Sequence, residues 1–132
     1  MNAHKNILII EDNPDISQAL SEVLSDCGHK IETACNGKAG LDCLINKMLP
    51  DIIILDMFMP VIGGIEFLKR IHEIPALAFI PVIGMSADAF GKKRFLSCGI
   101  KFFLQKPFEL PELMSILDRL TGRSDEIYNH VR

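Results

Sequence analysis

The sequence predicts an α/β fold, a parallel sheet with helices covering both faces. Two observations predict it. Short, almost wholly aliphatic runs recur along the chain, among them Ile7-Leu8-Ile9-Ile10, Ile52-Ile53-Ile54-Leu55 and Val82-Ile83-Gly84-Met85. Strands that apolar belong in sheets buried on both sides. Between the runs lie segments whose apolar residues step at helical spacing. That alternation is the pattern of parallel strands joined by helical crossovers.

Each element can be justified in turn. The first strand is about Asn6–Ile10. Pro14 opens the first helix, a position where its missing N–H costs nothing. Ile16, Ala19, Leu20, Val23, Leu24 and Cys27 then recur at helical spacing until Gly28 stops the helix. The second strand, near Lys30–Ala34, is short and more polar, which suits a sheet edge. Asn36-Gly37 marks a turn, and a second helix follows with Ala39, Leu41, Leu44 and Ile45 expected inward and Pro50 as its bound. The third strand, Asp51–Leu55, is the most aliphatic and is expected at the centre. A loop from Met57 to Gly64 leads to a third helix carrying Ile65, Phe67, Leu68 and Ile71, up to about Glu73.

The fourth strand is expected over Ile80–Met85, and the fourth helix starts near Asp88, a plausible N-cap. Gly91 falls inside that helix and costs roughly 1 kcal/mol relative to alanine, a loosening of the helix. The fifth strand is Lys101–Gln105. The fifth helix runs from about Leu110 to Leu120, with Leu113, Met114, Leu117 and Leu120 inward. The packed domain is expected to span residues 1–122, with 123–132 a tail or linker stub.

Composition narrows the function. At 132 residues with 48% apolar content the chain is long enough for one domain with a proper core. The net charge is -3 and no basic block stands out, so no nucleic-acid partner is expected. No apolar run approaches the roughly 20 residues needed to span a bilayer. Cys27, Cys35, Cys43 and Cys98 form no CxxC pair, which argues against structural zinc. Cys27, Cys43 and Cys98 are expected as buried apolar groups. Unpaired thiols and the lack of a signal segment fit a cytoplasmic location.

The chemistry lies at the strand ends. Glu11 and Asp12 follow the first strand, Asp56 the third, Ser86 the fourth and Lys106 the fifth. Open α/β sheets bind ligands at the carboxyl ends of their strands. Three carboxylates converging there repel one another unless a hard cation such as Mg²⁺ neutralises them. A carboxylate such as Asp56 can also act as nucleophile toward a phosphoryl group. Lys106 and Ser86 would then meet phosphoryl oxygens. Taken singly, each of these residues reads as an ordinary turn, cap or solvated loop residue; their joint placement is what points to a site.

These stretches resemble response-regulator receiver domains, the phosphoacceptor modules of two-component signalling. The resemblance rests on Ile9-Ile10-Glu11-Asp12-Asn13, Leu55-Asp56-Met57-Phe58-Met59-Pro60 with Gly64, Gly84-Met85-Ser86-Ala87, and Phe103-Leu104-Gln105-Lys106-Pro107-Phe108, and covers about Lys5 to Leu120. It implies a flavodoxin-like (βα)5 doubly wound, five-stranded parallel sheet of order 2-1-3-4-5. It implies that Asp56 is phosphorylated, that Ser86 and Lys106 contact the phosphoryl group, and that Mg²⁺ is held by Glu11, Asp12, Asp56 and the Phe58 carbonyl. Phe103 stands at the aromatic switch position, and the Lys106–Pro107 bond is often cis in such domains.

The implied function is a signalling switch rather than an enzyme, promoting only its own phosphorylation and dephosphorylation. Its donor would be a histidine kinase or a histidine phosphotransfer protein, and its output would run through the fourth helix, fifth strand and fifth helix, with a phosphorylation-dependent homodimer possible. Glu11 departs from the usual aspartate and would reach the cation through water. Phe58, two residues beyond Asp56, cannot orient water and is expected to slow hydrolysis of the acyl phosphate. The competing readings are a phosphorylation-independent interaction module on the same fold, and a receiver segment of a hybrid sensor kinase or larger regulator.

Overall fold

A computed structural model describes residues 4–46 and 49–121, and the expected tail lies outside them. Five strands and five helices alternate: β1 (Asn6–Ile10), α1 (Pro14–Asp26), β2 (Lys30–Ala34), α2 (Gly37–Asn46), β3 (Ile52–Asp56), α3 (Gly64–His72), β4 (Val82–Ser86), α4 (Ala89–Ser97), β5 (Phe102–Gln105) and α5 (Leu110–Thr121). The strands form one parallel sheet in the order β2-β1-β3-β4-β5. This is the flavodoxin-like arrangement, with its topological switch between β1 and β3.

Alternate residues of each strand feed two separate cores. Leu8, Ile10, Ile53 and Leu55 face Leu44, Phe67, Leu68, Ile71 and Phe95 on the side covered by α2, α3 and α4. Ile7, Ile9, Ile52, Ile54 and Ile83 face Leu20, Leu24, Leu113 and Leu117 on the side covered by α1 and α5. All five residues of β3 are buried, as befits the central strand.

Several expectations need correcting. β3 and β4 each extend through the polar residue that ends their apolar run. Asp56 pairs with Met85 and Ser86 with Gln105, because backbone ladder bonds are indifferent to side-chain polarity. Ile80 and Pro81 precede β4, and β5 starts at Phe102. Ile45 points to solvent, 71% exposed. Gly40 takes the inward place instead, where an added Cβ would lie 2.6 Å from Ile10 Cδ1. α2 therefore sits too close to β1 for a side chain at that position. Leu77, in the turns between α3 and β4, is a core residue the periodicity did not reveal. Cys27, Cys43 and Cys98 are only partly buried, and Cys35 is exposed.

Gly28 and Gly99 follow α1 and α4 with φ of +94° and +89°. Left-handed backbone of this kind closes helix ends and is reached most cheaply by glycine.

Candidate functional site

The turn after β1 begins with Glu11, whose N–H donates to Ala34 O at 3.0 Å and so pins the turn to β2. Asn13 then caps α1, its Oδ1 accepting from the N–H groups of Asp15 and Ile16. Glu11 and Asp12 are thereby held at the carboxyl edge of the sheet. The ladder places Asp56 beside them, since β3 pairs with β1 up to the Ile10–Leu55 rung. One carboxylate oxygen from each of Glu11, Asp12 and Asp56 lies within 4.8 Å of the others. Glu11 and Asp56 are buried while Asp12 is exposed.

Lys106 enters this cluster from the end of β5. Its Nζ lies 2.6 Å from Glu11 Oε1 and 3.1 Å from Asp56 Oδ1. The second oxygen of Glu11 accepts from the Asn13 N–H at 3.0 Å. Glu11 thus has both oxygens engaged within the protein, whereas Asp12 faces solvent and is the better placed to receive an ion.

Charge in the cluster is incompletely balanced. Burial, and next the Glu11 carboxylate, push the Asp56 carboxyl up from 3.8 to about 6, against the pull of Lys106. Burial works to lower the Lys106 pKa, but its hydrogen bond to Glu11 and the charges of Asp56 and Glu11 hold it above the ordinary 10.5. One ammonium among three carboxylates leaves a negative excess. Hard oxygen donors this close together, one of them open to water, fit Mg²⁺. The Met57–Pro60 loop and Gly63 share a surface depression with Asp12, so Phe58 lies near that acidic residue.

Two expected residues stand apart from the acidic cluster. Ser86 is fully buried at the end of β4, and its hydroxyl is turned toward α4. There it accepts from the Asp88 N–H at 3.4 Å, and among the described residues it makes no hydrogen bond to Asp56. Phe103 is partly buried on the α4 side of the sheet, its ring centroid 6.2 Å from that of Phe95. The Lys106–Pro107 bond is cis.

The residue that sequence reasoning passed over is Phe95, and Gly91, read there as a loosening of the helix, packs closely on the sheet. Phe95 is fully buried and lies over Gly84, where a Cβ would come within 2.8 Å of its ring. A signal was available: Gly91 and Phe95 are four apart and share a helix face, so a glycine stood on the face that must pack.

The family described as "Response regulator receiver domain" matches residues 7–118. The "Probable transcriptional regulator ycf29" of Porphyra purpurea is 37% identical over 120 residues, covering 89% of this chain and 57% of that protein. The chain spans about half the length of the curated relatives it matches. Among solved structures, the receiver domain of the sensor histidine kinase PA1611 from Pseudomonas aeruginosa is similar with a TM-score of 0.82 and 26% identity, covering 90% of this chain and 98% of that one. That structure has a magnesium ion coordinated in its active-site cleft. The response regulator protein TrrA from Thermotoga maritima, in complex with Mg²⁺-BeF, gives a TM-score of 0.78 at 29% identity, with 88% and 98% coverage. The expectation of no nucleic-acid partner gains no support, because the Porphyra protein is named as a transcriptional regulator and this chain matches little more than half of it. No helix among the described residues is long and apolar enough to cross a membrane.

Proposed function

The chain belongs to the response regulator receiver domain family, and from that premise we propose that it is a phosphoacceptor switch with Asp56 as the phosphorylated residue. The observation that carries this reading is the convergence of Glu11, Asp12 and Asp56 within 4.8 Å, with Lys106 Nζ 3.1 Å from Asp56. The donor is a phosphohistidine of a histidine kinase or histidine phosphotransfer protein. An Asp56 oxygen attacks phosphorus, the P–N bond to the donor imidazole breaks, and the released ring nitrogen recovers a proton. With its pKa raised only to about 6, Asp56 is ionised and nucleophilic at neutral pH.

The remaining roles follow from position. Glu11, Asp12, Asp56 and the Phe58 carbonyl would hold Mg²⁺, which would supply charge neutralisation at the transferring oxygens. Lys106, already paired with Asp56, moves onto a phosphoryl oxygen. Ser86 supplies a hydroxyl once it turns from α4. Output runs through the face formed by α4, β5 and α5, where Phe103 packs on Phe95, and a homodimer through that face is consistent with it. The chain promotes only its own phosphorylation and dephosphorylation, acts in the cytoplasm, and has residues 1–122 as its receiver unit.

The test is intact mass after incubation with Mg²⁺ and acetyl phosphate. The expected result is a single phosphoryl adduct that needs Mg²⁺ and is absent from Asp56→Asn. Failure to form an adduct with acetyl phosphate, beryllofluoride or a phosphohistidine protein donor would favour a phosphorylation-independent interaction module.

A further inference from the structure

α4 rests on the sheet through positions that carry no Cβ. A methyl group at Gly91 would collide with Ser86 Oγ and lie 2.5 Å from Ser86 Cβ and 3.1 Å from Met57 Sδ. One turn on, Phe95 covers Gly84. The Ser86 hydroxyl therefore sits beneath the first turn of α4, bonded to the Asp88 N–H. Asp88 in turn caps the helix by accepting from the Gly91 N–H at 2.8 Å. Ser86, Asp88 and Gly91 form one small closed arrangement in which the hydroxyl is packed beneath α4.

We propose that Gly91 is a positioning residue which seats the Ser86 hydroxyl under α4 and so holds the switch in its resting arrangement. The inference rests on the phosphoacceptor reading and gives that reading a specific latch. To reach a phosphoryl group on Asp56, Ser86 must rotate about its Cα–Cβ bond. Rotation leaves the Asp88 N–H without its acceptor and removes the oxygen against which Gly91 packs. The first turn of α4 then loses two of the contacts that fix it to β4. Phosphoryl binding and release of α4 are thus coupled through one side chain, each favouring the other.

The role makes an unusual demand on Gly91→Ala. Alanine favours an isolated helix over glycine, yet its methyl group cannot enter the resting arrangement. The methyl strikes Ser86 Cβ as well, which rotation of the hydroxyl does not move, so the first turn must lift, and lifting frees the hydroxyl. Apparent affinity for a phosphoryl mimic rises with the fraction of protein already in the competent arrangement.

The experiment is titration of wild type and Gly91→Ala with beryllofluoride in Mg²⁺, with ¹⁵N-resolved amide spectra of the wild type alongside. Gly91→Ala is expected to bind about threefold or more tightly than wild type, and the wild-type Gly91 amide signal to shift on saturation. Equal or weaker binding by folded Gly91→Ala would overturn the proposal and leave a simple packing glycine. If Gly91→Ala does not fold, the wild-type spectrum decides: an unmoved Gly91 amide at saturation overturns the latch, and a shifted one supports it. No beryllofluoride binding by wild type is a different failure, because it removes the phosphoacceptor reading on which the latch stands. A second variant separates packing from positioning. Ser86→Gly removes the atoms the methyl strikes hardest, so adding Gly91→Ala to it should not lower hydrogen-exchange protection in α4, and lowered protection would overturn the proposal.

Discussion

α1 and α4 begin at the same rim of the sheet and are built in opposite ways. Each starts with a side-chain cap, Asn13 or Asp88, and each cap also donates its own N–H to a residue of the site. The Asn13 N–H goes to Glu11, whose other oxygen is locked by Lys106. The Asp88 N–H goes to Ser86, whose hydroxyl must turn if it is to serve Asp56. α1 runs for 13 residues and anchors on Leu20 and Leu24. α4 runs for nine and buries only Gly91 and Phe95. Placed side by side, they show two ways of seating a helix on one rim, α1 through apolar bulk beside a paired carboxylate and α4 through a glycine and a single ring.

The contrast can be broken hardest at the two anchors. Phe95→Ala should cost about 3–5 kcal/mol and Leu24→Ala about 2–5 kcal/mol in chemical denaturation. Their exchange patterns should differ. Amides of α4 should lose protection beyond the global loss in Phe95→Ala, while Leu24→Ala should lower all protection together. Matching patterns in the two variants would erase the distinction between the helices.

Next in size is the charge the rim carries without a cation. A carboxyl raised in the fold from 3.8 to about 6 contributes fully below pH 3.8, where it is neutral in both states. Stability is lost as pH rises through about 6, because the unfolded chain ionises more readily. In EDTA near pH 7.5, Asp56→Asn should therefore be more stable than wild type by on the order of 1–3 kcal/mol. The gap should close near pH 4, and Mg²⁺ should stabilise wild type more than the variant. A variant less stable than wild type at both pH values would mean that the pair with Lys106 outweighs the repulsion.

The caps give a smaller and more local comparison. Asn13→Ala and Asp88→Ala should each cost about 1 kcal/mol. Only Asp88→Ala should also raise beryllofluoride affinity, since it weakens the turn that retains Ser86. The smallest effect is expected at Phe58, whose ring is more than half exposed beside the site. Phe58→Asn should hydrolyse its acyl phosphate a few-fold faster, a barrier change of about 1 kcal/mol, measured as decay of the phosphoryl adduct. Equal decay would remove any shielding role for the ring.

Much of this architecture was legible in the chain because aliphatic runs and helical spacing are strong signals. All five strands and all five helices are present in the expected order, with several strand bounds shifted. The errors share a cause. Asp56 and Ser86 were placed just beyond their strands because hydropathy ends there, although the backbone ladder does not. Ile45 was turned inward and Gly40 ignored because hydropathy counts side chains, while close packing of helix on strand selects for their absence. Gly91 looked like a helix defect for the same reason. The acidic residues could be read from their positions at strand ends, but the partner of Lys106 could not. A lysine 95 positions away from Glu11 meets it only through the fold, which places Glu11 inward and Asp12 toward solvent.

The charged pattern of β2 has a consequence for the company this domain keeps. That strand lies at one edge of the sheet and carries Lys30, Glu32 and Thr33 at exposed positions. Charges along an edge discourage a neighbouring chain from adding its own strand there. The protein can then be crowded, or held at the high local concentration of a signalling assembly, with little tendency to stack into a continuous sheet at that edge. That edge is thereby kept out of strand-to-strand recognition.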